Sequence, residues 1–236
     1  MVVLIIKNIV REGPGLLEEK LNHHQISYSI VNLDDKGLFP DAKKYSAVFV
    51  FGGPDSANDA TIKMQNELRM IRKVVDAEIP YLGVCLGMQM LVKANGGEVY
   101  KNRVKEIGWK DQEGDYYKIE LTEEGRADYL FAGVRSPLPI FHLHGETVRL
   151  TKEMKLLAVG KYCRNQAVKF GKNAYGLQGH LELIPTMFEE WLREDPDLIN
   201  LERQALRNNY EKIRNEYETA GKQVLTNFLR IAKLIN

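Results

Sequence analysis

Cys85 is the residue whose surroundings first point to chemistry. It lies in the stretch YLGVCLGMQML, residues 81–91, between an apolar run and a segment of helical periodicity, with Gly83 and Gly87 two places to either side. A nucleophile elbow has this pattern: a strand ends, the nucleophile takes a strained backbone conformation, and a helix begins at once. The alternative is a small buried thiol. We prefer the nucleophile, because two glycines would weaken a plain buried strand.

The backbone around Cys85 predicts how an attacking sulfur would be supported. The helix after Cys85 would direct its positive end at the sulfur and lower the thiol pKa. The N–H of Leu86 would point at the atom under attack and supply half of an oxyanion hole. The GGP turn at 52–54 ends another apolar run, and its N–H groups can donate to an oxyanion or a carboxylate at the same sheet edge. A simple turn is the alternative there.

A cysteine nucleophile needs a base, and His180 with Glu182 is the strongest candidate pair. Two residues apart in extended chain, they project to the same side, so the carboxylate can accept the ring N–H and leave the other nitrogen facing the cysteine. A buried structural histidine is the alternative. His142 and His144 would also share a strand face, which raises a metal pair as an alternative to a structural role. We predict no metal, because no further ligands cluster near them in sequence.

Alternating strand and helix patterns must position these residues. Through the first hundred residues, apolar runs such as VVLIIKNI, YSAVFVFGG and YLGV alternate with helical segments. This alternation predicts an α/β protein with a mainly parallel sheet covered by helices on both faces. From about 98 to 180, shorter candidates including FHLHG, NQAVKF and AYGLQ are predicted to be antiparallel additions to the same sheet.

The last fifty residues are predicted to be helical, with an apolar stripe that must be covered. The stripe packs either on the chain's own domain or at an interface, a homo-oligomer through the C-terminal helices being one form of the latter. We therefore divide the chain into a domain of residues 1–190 and a helical extension of residues 191–236. The stripe consists of Leu206, Tyr210, Ile213, Tyr217, Ala220, Val224, Phe228, Ile231 and Ile235.

Composition excludes some partners. With 33 Lys and Arg against 32 Asp and Glu, the formal net charge is +1, so we expect binding neither to nucleic acid nor to a membrane. The basic cluster at 101–105 is expected to be a solvated loop. The two cysteines, Cys85 and Cys163, show no disulfide or zinc spacing, which favours a reducing compartment and a cytoplasmic location.

Together the motifs resemble the class I (triad) glutamine amidotransferase family, and most closely its stand-alone GMP-synthase-like members. The resemblance covers residues 1 to about 190 and implies a three-layer, doubly wound, flavodoxin-like fold with a mixed, mainly parallel sheet. The matching stretches are FGGPDS at 51–56, GVCLGMQML at 83–91, EIGW at 106–109, FHLHGET at 141–147 and LQGHLEL at 177–183.

The resemblance also implies roles for individual residues. Cys85 would be the nucleophile, His180 the acid and base, and Glu182 its orienting partner, with Gly53 and Leu86 forming the oxyanion hole. One further glycine would support the turn, a glutamine would contact the substrate, and main-chain atoms would hold the substrate's α-amino and carboxylate groups. These substrate-binding positions are Gly52, Gln89, His144 and Gly145.

One stretch departs from the family pattern. The family usually reads Q-F-H-P-E at the histidine, whereas this chain has QGHLE at 178–182. The missing ring at Gly179 is expected to widen the pocket or to loosen His180. Glu146 stands where an Asp is common, which is a smaller change.

The activity that the resemblance implies is hydrolysis of the side-chain amide of glutamine through a Cys85 γ-glutamyl thioester. Glutamate and ammonia would result, with no cofactor. A partner synthetase would accept the ammonia, because we find no ATP-binding domain in the chain. The alternatives are a γ-glutamyl peptidase acting on larger γ-glutamyl amides, and a non-catalytic regulatory module.

Overall fold

The computed structural model describes residues 2–33 and 39–236. Within these ranges six α-helices and eleven strands follow one another, with two short 3₁₀ helices between them. In chain order they are β1 (Val2–Lys7), α1 (Leu16–His23), β2 (Ser27–Asn32), β3 (Ala47–Val50), α2 (Ile62–Asp76), β4 (Tyr81–Val84), α3 (Leu86–Ala94), β5 (Glu98–Gly108), β6 (Lys118–Leu121), α4 (Glu123–Ala127), β7 (Leu138–Pro139), β8 (His142–Arg149), β9 (Met154–Gly160), β10 (Ala167–Phe170), β11 (Ala174–Leu177), α5 (Pro185–Glu194) and α6 (Arg203–Ile231).

Nine of these strands form one mixed sheet in the order β2-β1-β3-β4-β11-β10-β9-β6-β7. The five strands from β2 to β11 are parallel to one another, and the remaining strands extend the sheet in antiparallel fashion. The predicted α/β fold with a mixed sheet is confirmed.

Three predictions for residues 98–180 are wrong in whole or in part. The FHLHG segment lies mainly in β8, which pairs with β5 in a separate two-stranded sheet. Strand β11 is antiparallel to β10 but parallel to β4. The basic cluster at 101–105 belongs to β5 and not to a loop. Local pattern identifies strands, whereas contacts between distant segments decide their partners.

Helices cover both faces of the sheet. In β1, Val3 and Ile5 pack into one hydrophobic cluster and Leu4 and Ile6 into a second. A strand buried on both faces in this way is typical of parallel sheets between two helical layers. The first cluster includes residues of α1 and α6, and the second includes residues of α2 and α3.

The apolar stripe of α6 packs on the chain's own sheet. Its residues from Leu206 to Phe228 are buried in the first cluster, and Ile231 and Ile235 pack against it half-buried. The stripe is therefore unavailable for a homo-oligomer. The division at residues 190 and 191 stays a prediction. In the described ranges, no helix has the length and apolar content that crossing a bilayer requires.

Candidate active site

Cys85 lies on a sharp turn between β4 and α3. Its φ is +52° and its ψ −108°, values that are costly for a residue with a side chain. Its N–H donates to the Leu177 carbonyl oxygen at 2.8 Å, and its own carbonyl accepts from the Gln89 N–H at 3.1 Å. The predicted strand-to-helix turn is present, and it is held between the neighbouring strand β11 and the first turn of α3.

The two glycines beside the turn allow backbones to touch. A Cβ at Gly83 would lie 2.4 Å from the Gly87 carbonyl carbon and oxygen, and a Cβ at Gly87 would lie 2.1 Å from the Val50 carbonyl oxygen. No side chain fits at either place. Helix α3 therefore sits directly on the ends of β3 and β4, which aims its first turn at the sulfur.

His180 and Glu182 form a buried pair next to Cys85. His180 Nδ1 lies 2.6 Å from Glu182 Oε1, and the other carboxylate oxygen accepts from the Leu181 N–H at 2.9 Å. The side chains are 1% and 2% exposed. Since Nδ1 is engaged with the carboxylate, Nε2 is the ring nitrogen left to interact with Cys85, which raises the pKa of His180. The structure thus brings together the three residues predicted for the triad.

Helix α6 holds the segment that carries this pair. The Tyr217 hydroxyl donates to the His180 carbonyl oxygen at 3.2 Å and accepts from the Leu183 N–H at 3.0 Å. At the start of α1, the Leu16 N–H donates to the Glu182 carbonyl oxygen at 2.8 Å. Sequence reasoning found no signal for Tyr217 beyond its place in the apolar stripe.

Burial and neighbouring charges shift the pKa values of Cys85 and His180 in opposite directions. Burial raises the pKa of the Cys85 thiol, while His180 and the Leu86 N–H act to lower it. The expected lowering of this pKa is therefore outweighed by the loss of solvent. For His180, burial would lower the pKa, but Glu182 and Cys85 raise it well above its ordinary value. The imidazole is accordingly a strong proton acceptor.

The predicted oxyanion-hole residues lie at the same crevice. Gly53 and Leu86 line a cavity together with Cys85, and the backbone N–H of Leu86 lowers the pKa of the Cys85 thiol against the effect of burial. Gly52 does not line this cavity; a Cβ there would lie 2.1 Å from Glu12 Oε2 and 3.3 Å from Cys85 Cβ. Gly52 therefore allows two segments to approach the nucleophile.

The other predicted substrate-binding residues line the same cavity. Gln89 Nε2 donates to the Glu146 carbonyl oxygen at 3.2 Å. His144 Nδ1 lies 3.0 Å from the same oxygen, so its ring supports the backbone at Glu146, the residue after Gly145. Both side chains are thus engaged with the chain itself, and their contact with substrate stays a prediction.

Glu106 joins His142 and His144 in a buried cluster. One potential ligand atom from each of the three residues lies within 4.8 Å of the others. Glu106 comes from β5, far away in sequence, which is why sequence spacing did not reveal it. Burial lowers the pKa of His142 well below its ordinary value. The prediction of no metal stays a prediction.

Gly179 does not widen the pocket. A Cβ there would lie 2.6 Å from Ile140 Cδ1 and 2.8 Å from His142 Nδ1, so those side chains fill the place of the missing ring. His180 in turn packs edge-on against Trp191, with ring centroids 4.9 Å apart. The expected widening or loosening is therefore wrong, because neighbouring side chains compensate for the lost bulk.

Glu12 is a cavity residue that sequence reasoning missed. It follows β1 in the loop REGPG and is only 5% exposed. Burial raises its pKa from 4.5 to about 7, and His180 acts in the opposite direction. A carboxylate just after the carboxyl end of a parallel strand was a usable signal, because ligands bind at that edge.

Fold and site together define a doubly wound α/β protein that presents a cysteine to a histidine–carboxylate pair at the carboxyl edge of its parallel strands. The family description "Glutamine amidotransferase class-I" matches residues 13–195. The chain belongs to the class I glutamine amidotransferase family.

Individual relatives agree with this assignment. The chain is 34% identical over 164 residues to the glutamine amidotransferase-like protein YfeJ of Salmonella typhimurium, covering 67% of this chain and 65% of that protein. It is 28% identical to one subunit of the glutamine-hydrolyzing GMP synthase of Methanoregula boonei, covering 75% and 91%. With GMP synthase of Bacillus subtilis the identity is 30%, covering 76% of this chain but only 30% of that protein.

Solved structures resemble the whole described fold. A glutamine amidotransferase of Thermotoga maritima superimposes with a TM-score of 0.85 at 25% identity, covering 99% of this chain and 98% of that one. One from Methylobacillus flagellatus gives 0.84 at 26% identity, covering 97% and 94%.

Proposed function

We propose that the chain hydrolyses the side-chain amide of glutamine through a γ-glutamyl thioester on Cys85. The observation that carries the proposal is His180, whose Nδ1 lies 2.6 Å from Glu182 Oε1 and whose pKa is raised by its neighbours Glu182 and Cys85. A base held in one tautomer beside a sulfur nucleophile is the arrangement that acyl transfer requires.

The reaction proceeds in two balanced steps. His180 Nε2 takes the thiol proton as the sulfur attacks the side-chain carbonyl carbon, and the N–H groups of Gly53 and Leu86 stabilise the oxyanion. The C–N bond then breaks, and His180 protonates the departing ammonia. In the second step, His180 takes a proton from water, the hydroxide attacks the thioester, the C–S bond breaks, and the thiol regains its proton.

A partner synthetase is proposed as the acceptor of the ammonia. The relative from Methanoregula boonei, which is named as one subunit of GMP synthase, supports this, because the chain spans 91% of it. A second candidate is hydrolysis of larger γ-glutamyl amides. The cavity volume of about 520 Å³ favours it, since pockets of roughly 300–1,000 Å³ accommodate drug-sized ligands.

Ammonia release from glutamine by the purified protein tests the proposal. We expect turnover that disappears in Cys85→Ala and persists in Cys163→Ala, which removes the other free cysteine. A glutamine-mimicking electrophile should label Cys85. Equal ammonia release by Cys85→Ala and the unmodified protein would contradict the mechanism, and a folded protein without turnover or labelling would indicate a regulatory module.

A further inference from the structure

The cavity at Cys85 is acidic in a chain that is nearly neutral overall. Among the described residues, its lining includes six acidic side chains but only two from Lys or Arg, namely Arg11 and Lys105, whereas the whole sequence has a net charge of +1. Charge concentrated at one cavity selects ligands of the opposite sign. The six acidic residues are Glu12, Asp55, Glu146, Glu194, Asp195 and Asp197.

Both of these cationic side chains are already neutralised. Arg11 Nη2 lies 2.7 Å from Asp195 Oδ2, and Lys105 Nζ lies 2.5 Å from Asp197 Oδ1. The Arg11 pair is largely buried. A substrate with a carboxylate on its leaving group would therefore have to compete with Asp195 or Asp197 for the cationic side chain of Arg11 or Lys105.

Several acidic side chains, by contrast, have no cation. Asp55 is paired with Lys63, but Glu12, Glu146 and Glu194 make no ion pair among residues 2–33 and 39–236. Glu146 instead accepts a hydrogen bond from the Ser56 hydroxyl at 2.8 Å. Glu12 interacts electrostatically with His180, so Glu146 and Glu194 are the surplus of negative charge left at the cavity once its pairs among the described residues are counted.

Glu12 is a buried carboxyl of this lining. It is buried, lines the cavity beside Cys85, and its Oε2 has no hydrogen-bond partner within the described part of the chain. A buried carboxylate oxygen without a donor is costly. Because burial raises the pKa of Glu12 to about 7, this carboxyl is partly protonated near neutral pH. A bound ammonium group would supply a donor and favour the ionised form.

We propose that the preferred substrates are γ-glutamyl amides whose amine part carries a second, cationic group, such as a γ-glutamyl diamine. This inference rests on the proposed hydrolysis and names its leaving group. The steps are those given above, except that His180 protonates the departing diamine and not ammonia. The same charges disfavour γ-glutamyl dipeptides, whose leaving amino acid carries a carboxylate.

Three γ-glutamyl amides of equal chain length test the inference: those of butylamine, 1,4-diaminobutane and 4-aminobutanoate. We expect kcat/KM to be about tenfold higher for the diaminobutane amide than for the butylamide, a difference of about 1.4 kcal/mol. The aminobutanoate amide should have the lowest kcat/KM of the three. The preference should shrink in high salt. Glu12→Gln should lower the ratio of cationic to neutral substrate, whereas Glu153→Gln, an exposed residue outside the cavity, should leave it unchanged.

Binding of the same three amides to Cys85→Ala separates this inference from the proposed function. Tighter binding of the diaminobutane amide supports the inference even if no amide is hydrolysed by the intact protein, a result that would contradict the proposed function alone. Hydrolysis of all three amides at equal kcat/KM, or a preference for the aminobutanoate amide, would overturn the inference and leave the hydrolysis standing.

Discussion

Glu182 satisfies two donors with one carboxylate. One oxygen faces His180 Nδ1 at 2.6 Å, and the other accepts from the Leu181 N–H at 2.9 Å. The second bond fixes the plane of the carboxylate, and the first fixes the tautomer of the imidazole. At the scale of single residues, Glu182 therefore decides which ring nitrogen is free to take a proton from Cys85.

Glu182→Gln tests this role. A glutamine has one oxygen for two donors, so its NH₂ group must face either His180 Nδ1 or the Leu181 N–H. The first arrangement disturbs the tautomer of His180, and the second disturbs the backbone segment at Leu181. We expect kcat/KM for glutamine to fall about 100-fold or more, within the range that general acid–base catalysis contributes. Steady-state kinetics measure it, with Glu153→Gln as the charge-matched control. Unchanged kcat/KM would show that Glu182 has no part in the reaction.

At the scale of elements, the turn depends on α3 and β3 meeting backbone to backbone. The contact is closest where Gly87 faces the Val50 carbonyl oxygen. The Tyr81 hydroxyl donates to the Gly87 carbonyl oxygen at 2.8 Å and ties β4 to the same helical turn. The position of the helix that supports Cys85 is thus fixed by the absence of a side chain.

Gly87→Ala should push α3 away from β3. The added Cβ would lie 2.1 Å from a backbone oxygen that cannot rotate away, so we expect the free energy of unfolding to fall by about 3 kcal/mol or more. Urea unfolding measures it. Gly13→Ala is the control, because its Cβ would meet only Lys7 Nζ, at 3.9 Å. Equal effects of the two substitutions would contradict the close approach.

Tyr217 couples α6 to the segment of His180 through one hydroxyl. In Tyr217→Phe the Leu183 N–H loses its partner, and the His180 carbonyl keeps only the Phe141 N–H, at 3.3 Å. We expect the free energy of unfolding to fall by about 1–3 kcal/mol. We also expect kcat to fall more than KM changes, since the base is displaced while the cavity lining is kept. The same measurements on Tyr129→Phe, at an exposed tyrosine, provide the control. If Tyr217→Phe lowers the free energy of unfolding but leaves kcat unchanged, Tyr217 has only a structural role.

At the scale of the whole molecule, the sheet gathers the site from segments far apart in sequence. Glu12 follows β1, Gly53 follows β3, Cys85 follows β4 and His180 follows β11, because parallel strands place their carboxyl ends at one edge. Several carboxyl groups are buried in the folded chain, including Glu12 and Glu182 of the site. Glu67 on α2 is another one, 1% exposed, and burial raises its pKa from 4.5 to about 7.

Glu67 should make the folded chain less stable as pH rises. The folded state keeps this proton up to about pH 7, whereas the unfolded state loses it near its ordinary pKa of 4.5. Between these values the unfolded chain binds fewer protons, so the free energy of unfolding falls with rising pH. Glu67→Gln removes this pH-dependent fall in the free energy of unfolding. We expect the substitution to stabilise the protein by about 1–3 kcal/mol at pH 7.5 but little at pH 4.5.

Urea unfolding of Glu67→Gln at both pH values checks this prediction. Glu153→Gln is the control, because an exposed carboxylate keeps its ordinary hydration in both states. A pH-independent effect of Glu67→Gln would show that the carboxyl titrates normally in the folded chain.

Sequence alone was enough to predict the strand–turn–helix around Cys85, the pairing of His180 with Glu182 and the α/β class. These depend on short-range rules: glycine spacing, the period of a strand and the alternation of strands with helices. The folded structure was needed to show that Glu12 enters the cavity, that Tyr217 holds the histidine segment, that Ile140 and His142 fill the space at Gly179, and that burial outweighs the helix in setting the pKa of Cys85. Each of these results from packing between residues distant in the chain, and such contacts leave no local pattern to read.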